Sequence, residues 1–410
     1  MKKLKTLLTV PAAIIFFVSC SKTPMKIEPA RPIDLTLQTR AILKQNNSFS
    51  IDFFKAVSQQ HNNNLFLSPY SMSAALGMLY NGAAGETKAE IAKVLGMSGY
   101  TPEDVNKYYQ ELTKALLAVD PNTSLSFANA IWANKGVALK KSFVDLNKSY
   151  YDAEVSTLDF SQPSALKTIN DWSSKKTKGT IPKLFESMPY GLAILANAIY
   201  FKSFWTDAFD KSKTVSNPFY NIDGSISTVP MMHQKELQLW YAQTDVCDMV
   251  SLPYTNKAFA MNFILPSKGV ILDELVDEFN GAVWQTMMAH RVGAKVTLSM
   301  PRFKIENSLD NLVGILAAMG MPLAFSPDHA DFSAMLANIQ TFFVSDVFQK
   351  SYISVDEKGT EAAAVTVFTG TGSSGSNPLE VTIVLDRPFI FAITEQSTGA
   401  ILFMGKVTAL

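Results

Sequence analysis

The sequence predicts an α+β fold. Three observations carry it: apolar residues recur at helical spacing in one region, at Phe49, Phe53 and Val57 with Phe54 beside them; an almost unbroken apolar run, Ala193 to Phe201, suits a strand buried on both faces; and Thr360 to Thr369 lacks proline and holds only small, β-branched or aromatic side chains after Glu361. The first pattern belongs to a period of 3.6, the others to extended chain. With 410 residues, of which 47% are hydrophobic and 18% charged, the chain can bury a large core.

Taken in order, residues 1 to 20 read as a targeting segment. Lys2, Lys3 and Lys5 form a basic head, Leu7 to Val18 an apolar stretch too short for a comfortable membrane span, and Ser19-Cys20 a small residue followed by cysteine. Residues 20–47 read as a tether, with Pro24, Pro29 and Pro32 and scattered charges, and the folded body is predicted from Ser48. A first helix through Phe49, Phe53 and Val57 is followed by a short strand at Asn64 to Leu67. Ser68-Pro69 then opens a second, apolar helix through Met72 to Leu79. After a glycine turn, a third helix is predicted from Thr87, with Glu90 completing a capping box. Leu125 to Trp132 has strand character, and Tyr150 to Leu158 another strand edge. The amide of Asn197 interrupts the apolar run 193–201. Burying it unpartnered would cost a few kcal/mol, so it is expected to be hydrogen-bonded.

Near the C-terminus, one stretch has two characters. At period two, Thr360, Ala362, Ala364, Thr366 and Phe368 share one face, which opens with small side chains fit for close packing. Residues 370–376 are all Gly, Ser and Thr, the composition of an exposed tip. A segment of this kind can serve as a surface loop or as a strand.

Glu357-Lys-Gly-Thr-Glu-Ala-Ala-Ala364 resembles the hinge of the serpins, the serine protease inhibitor family, where such a run opens the reactive-centre loop. Asp386-Arg-Pro-Phe389 and Ala400 to Val407 are similar to the family's closing strands, and Asn64 to Ser71 with Asn81 to Thr87 to its opening signature. The resemblance runs from about residue 48 to the C-terminus. It implies one domain (48–410) of three β-sheets and roughly nine helices, with an exposed reactive-centre loop at about 357–378 able to insert into the central sheet. It further implies hinge roles for Glu357, Gly359, Thr360, Glu361, Ala362, Ala363 and Ala364. Asn64, Ser68, Ser71 and Asn197 match the shutter beneath the central sheet, and Trp205 matches the breach where the loop enters. Gln349 stands where the family often has a histidine; it can donate and accept but does not titrate near neutral pH.

The mechanism the resemblance implies is suicide inhibition. A protease cuts the loop and forms an acyl-enzyme, and before water releases it the cut loop inserts as a new strand and carries the enzyme away. The family's usual distance from the hinge puts the scissile bond at Ser373-Ser374, suiting elastase-like or subtilisin-like enzymes. Phe368-Thr369 is the alternative, suiting chymotrypsin-like enzymes, although Phe368 falls on the inward face. Small residues at Thr360, Ala362 and Ala364 favour an inhibitor over the other class the family contains, a non-inhibitory binding or chaperone protein.

The start of the chain resembles a bacterial lipobox, with Cys20 diacylated after removal of residues 1–19 and Phe17 bulkier than usual there. A bilayer partner is thus expected through the N-terminal lipid, in the cell envelope or at its surface, with plain secretion as the alternative. Of the two cysteines this leaves Cys247, expected as a buried small hydrophobe with no intramolecular disulfide. The formal net charge of zero gives no case for a nucleic-acid partner. His61, His233, His290 and His329 lack metal-ligand spacing, and there is no G-x-S-x-G elbow or phosphate loop. No metal, cofactor or enzymatic activity is expected, and the protein is expected to be a monomer.

Overall fold

A computed structural model describes residues 29–189, 191–310, 312–338, 342–360 and 379–410. Its helices are α1 (Leu37–Ser58), α2 (Pro69–Gly82), α3 (Gly85–Val94), α4 (Pro102–Ala118), α5 (Lys141–Tyr151), α6 (Pro163–Lys176), α7 (Leu272–Glu278), α8 (Gly281–His290) and α9 (Leu312–Met319). The strands begin with β1 (Leu65–Leu67), β2 (Ser124–Asn134), β3 (Glu154–Leu158), β4 (Ala193–Phe204), β5 (Val215–Tyr220), β6 (Ile226–Gln243), β7 (Cys247–Pro253) and β8 (Phe259–Pro266). They continue with β9 (Val292–Pro301), β10 (Phe303–Leu309), β11 (Val347–Asp356), β12 (Gly359–Thr360), β13 (Leu379–Val384), β14 (Phe389–Glu395) and β15 (Ile401–Val407).

The central sheet has the order β10-β11-β12-β4-β2-β3. The remaining strands pair as β1-β15-β14-β8-β7-β6-β9-β13, with β5 on β6. The long β6 shifts register between Gln234 and Leu237, where Glu236 takes a positive φ of 61°, and bends from one sheet into the next. Three sheets result, as expected. β14 and β15 are buried along their whole length, and α2 buries every residue but Asn81.

Two expectations need correcting. The first helix starts at Leu37 rather than near Ser48: Thr36 caps it, its hydroxyl accepting from the Thr39 N–H at 3.1 Å. Ile33, Leu35, Ile42 and Leu43 are buried, so the segment from Pro29 to Asn47 packs one face on the body while the rest stays exposed. Prolines upstream and the polar Asn46-Asn47 pair hid the pattern, yet Asn46 is itself buried. The capping box at Thr87 is absent. The third helix begins after Ala84, which makes no side-chain cap. Thr87 Oγ1 instead accepts from the Asp331 N–H (3.0 Å) and Glu90 Oε2 from the Leu323 N–H (2.9 Å), so both residues hold distant chain. Ser68, by contrast, caps α2 as the Ser-Pro pair predicts, its hydroxyl accepting from the Ser71 N–H.

Cys247 is a free, buried thiol, and burial pushes its pKa up. Among the described residues no helix is long and apolar enough to cross a membrane.

Candidate functional site: the mouth of the central sheet

β4 and β11 are parallel neighbours, and their relation changes along their length. Away from the mouth they pair directly, Val347 to Lys350 against Leu195 to Ala198. At the mouth, where β4 ends, they are held apart by β12: Gly359 and Thr360 pair antiparallel with Asp356 and Val355 on one side and with Phe204 and Ser203 on the other. The sheet is therefore parted at one end and closed further in.

Gly359 makes this possible. Its φ is 149°, and a Cβ there would sit 2.2 Å from the Ser203 carbonyl oxygen and 2.7 Å from Phe204 Cα. Side chains rarely adopt that backbone, and the contact is with main chain, which yields little. Gly359→Ala is expected to unseat β12, costing at least 1–3 kcal/mol. The expected readout is a lower unfolding midpoint and faster loop proteolysis; an unchanged midpoint would refute the steric argument.

Thr360 is buried, and its hydroxyl meets the Tyr254 hydroxyl at 2.7 Å. The Tyr254 ring stacks on Trp205, centroids 4.5 Å apart and planes 14° from parallel. Burial pushes the Tyr254 phenol far above its ordinary pKa, so it stays neutral. Trp205 ties down the turn before β12 twice, its indole N–H donating to the Asp356 carbonyl and its backbone N–H to the Lys358 carbonyl, both at 2.9 Å. On the other side of Thr360, Ser203 Oγ lies 2.7 Å from Thr123 Oγ1, which donates to Asp120 Oδ2 at 2.6 Å. Thr255 Oγ1 donates to the same carboxylate.

Glu357 anchors the turn from outside. Its side chain is 3% exposed, and its Oε1 accepts from Arg302 Nε at 2.8 Å, from Arg302 Nη2 and from Thr214 Oγ1 at 2.6 Å. Burial pushes its pKa up, but the Arg302 and Thr214 hydrogen bonds together outweigh burial and hold the carboxyl below its usual value. A depressed folded pKa stabilises the seat at pH above the unfolded value of about 4.3 and is lost as pH falls through the folded value. Acid should loosen the turn in this window, and Glu357→Gln should flatten that limb of the stability profile. An acid limb identical in the two proteins would refute the role.

A second polar cluster lies where β4 and β11 touch. Gln349 is in register with Asn197 and grips Ser68 with both ends of its amide, Oε1 accepting from the Ser68 N–H (2.8 Å) and Nε2 donating to the Ser68 carbonyl (2.9 Å). Ser68 Oγ donates to the Leu402 carbonyl at 2.7 Å. Asn197 Nδ2 donates to Asn129 Oδ1 at 2.7 Å, as its burial required. Asn197 Oδ1 and Ser71 Oγ are buried without a partner among the described residues. Each such atom costs about 1–3 kcal/mol, so the seam between β4 and β11 is polar and imperfectly satisfied.

Ser68, Ser71, Asn197 and Gln349 thus meet in one cluster, and Glu357, Gly359, Thr360 and Trp205 meet at the mouth. Asn64 joins neither. Its Oδ1 accepts from the Thr408 (2.7 Å) and Ala409 (3.1 Å) N–H groups and its Nδ2 donates to the Ala409 carbonyl (2.7 Å), so it clamps the end of the chain beyond β15. Glu361, Ala362, Ala363, Ala364, Phe368, Thr369, Ser373, Ser374 and Cys20 lie outside the described residues. Arg302 and Tyr254 fall in short stretches that resemble the family's strands, Met300-Pro-Arg-Phe303 and Ser251-Leu-Pro-Tyr254, but nothing in the sequence assigned either of them, or Thr214 or Asn129, a role at the hinge, from which all four are far in sequence.

Among the described residues no three His, Cys, Asp or Glu side chains are placed to hold a metal. One serine meets a histidine with a third group behind it: Ser299 Oγ is 2.7 Å from His233 Nδ1, and Asn217 Nδ2 is 3.2 Å from His233 Nε2. Ser299 is buried in β9 and the third group is an amide, so the contact ties β5, β6 and β9 together and offers no exposed nucleophile.

The family model described as Serpin (serine protease inhibitor) matches residues 44–410. A serpin-like protein of Thermococcus kodakarensis is 33% identical over 378 residues, 90% of this chain and 86% of that one. Leukocyte elastase inhibitor of Homo sapiens is 32% identical over 383 residues, covering 89% and 98%. The crystal structure of the thermophilic serpin tengpin in the native state superposes with a TM-score of 0.83 at 30% identity, covering 94% of this chain and 98% of that one. A match of that extent in sequence and in fold shows that the chain belongs to the serpin family.

Proposed function

We propose that the chain inhibits endopeptidases as a suicide substrate, trapping them as acyl-enzymes when the cut loop enters the central sheet. The observation that carries this reading is the seat of β12. Gly359 and Thr360 already occupy the first two places of a strand between β11 and β4, so insertion has a start site and a direction, and among the described residues no pairing joins β11 to β4 between that seat and Lys350. Relatives include proteins named as an elastase inhibitor and an antithrombin. Cleavage is assigned to Ser373-Ser374, with Phe368-Thr369 as the alternative, and the targets to elastase-, subtilisin- or chymotrypsin-like proteases. Lipid on Cys20 would hold the inhibitor at a bacterial envelope, where it would protect surface proteins from foreign proteases.

The test is incubation with elastase, chymotrypsin, trypsin and subtilisin, followed by a denaturing gel and mass spectrometry of the released peptide. A complex that survives denaturant is expected, with the peptide beginning at Ser374 or at Thr369. Clean cleavage without a complex would make the protein a non-inhibitory serpin. Lipid attachment is tested separately, by loss of palmitate labelling in Cys20→Ser.

A further inference from the structure

A cleft of about 340 Å³ opens on the outer face of the sheet that contains β6, β7 and β8. Its lining includes Trp240, Arg291, Lys257 and Gln396 and, among the described residues, no carboxylate. Trp240 is 48% exposed, which is unusual for the largest apolar side chain. Gly293 stands opposite it on β9, and a Cβ built there would meet nothing within 4 Å, so no side chain fills the space beside the indole.

The guanidinium of Arg291 lies over the Trp240 ring, 5.3 Å from its centroid. One Nη donates to Gln396 Oε1 at 3.1 Å, and Gln396 is itself fixed, its Nε2 donating to Thr394 Oγ1 (2.9 Å) and its backbone N–H to the Ala258 carbonyl (2.7 Å). Arg291 is half-buried. Burial lowers its pKa, and no neighbouring acid offsets that effect. A guanidinium held in place and desolvated, with donors left over and no acidic partner, is incomplete in the way anion sites are. Lys257 adds a second cation at the rim but has Asp207 near it, so Arg291 is the anchor.

We propose that this cleft binds a small planar organic anion, an aryl carboxylate or sulfonate, with its acidic group on Arg291 and its ring against Trp240 in the space left by Gly293. The volume is that of a small-ligand site rather than of a protein interface. Pro253 and Lys257, which line the cleft, flank Tyr254 in sequence, the residue that holds Thr360, so an occupant touches the turn that supports the mouth. The inference does not depend on the inhibitor reading.

The probe is 2-naphthoate, titrated calorimetrically into the full-length protein, with the neutral 2-naphthamide as its counterpart. Saturable one-to-one binding of 2-naphthoate is expected, with the amide weaker by about tenfold or more. Arg291→Gln should reduce naphthoate affinity by a similar factor while leaving the weaker amide binding unchanged. Gly293→Val, whose Cβ meets nothing within 4 Å, should abolish binding of both, with an unchanged unfolding midpoint showing that the fold is intact. No saturable binding of 2-naphthoate, equal binding of acid and amide, or undiminished binding in Gly293→Val would each overturn the proposal.

Discussion

Thr360→Arg is expected to convert the protein from an inhibitor into a substrate. Thr360 is fully enclosed between Val355 and Ser203, its hydroxyl on Tyr254, and no acidic side chain bonds to it there. An arginine at this position must either hold β12 out of the sheet or bury a guanidinium without a partner, at a cost of several kcal/mol. In the mechanism proposed above, insertion competes with hydrolysis of the acyl-enzyme, and each 1.4 kcal/mol added to the insertion barrier slows it about tenfold. The fraction of protease trapped per loop cut should therefore fall by about a hundredfold, with cleavage itself unimpaired. Titrating protease activity against added protein measures this; a stoichiometry equal to that of the parent would show that β12 is not where insertion begins.

Cutting the loop without trapping an enzyme should raise the melting midpoint. Among the described residues β4 and β11 pair directly only from Val347 to Lys350, and β12 fills two residues at the mouth. A strand continuing from Thr360 would gain hydrogen bonds on both sides, each worth about 1 kcal/mol net, for a total on the order of ten kcal/mol. For a chain of this size that corresponds to a rise on the order of 10 °C or more. The insertion must also displace Gln349 from Asn197 along a seam that already carries two unpartnered buried oxygens, which lowers what is lost. Calorimetry before and after limited cleavage decides the matter, and an unchanged midpoint would mean that the loop stays outside. Such a gain also implies that the intact form is kept by its barrier rather than by its free energy.

The sequence disclosed those elements whose signal is local. Ser68-Pro69 announces α2, and the run from Ala193 announces β4 because a strand buried on both faces needs no alternation. Gly359 was legible through resemblance, and its need for a missing Cβ has a plain steric cause in the Ser203 carbonyl. Other features depend on partners that no spacing reveals. Thr87 and Glu90 have the form of a capping box, yet both side chains are taken by chain more than two hundred residues away. Arg302 and Thr214 close on Glu357 only because β10, β5 and the turn after β11 converge. Asn64 sits close in sequence to Ser68 and is carried off by the direction of β1 to the other end of the molecule's polypeptide.

That clamp on the C-terminal residues bears on how the chain comes into being. β1 has its sheet partner in Met404 to Lys406, and the strands that roof the core, β14 and β15, are made last. A ribosome working from the first codon must release the apolar face of α1 and α2 long before the residues that cover it exist. Contacts of such separation form slowly, and the emerging chain remains open to chaperones and to other chains for the duration of synthesis. Deleting the last ten residues would thus leave nearly the whole polypeptide present and the fold unfinished.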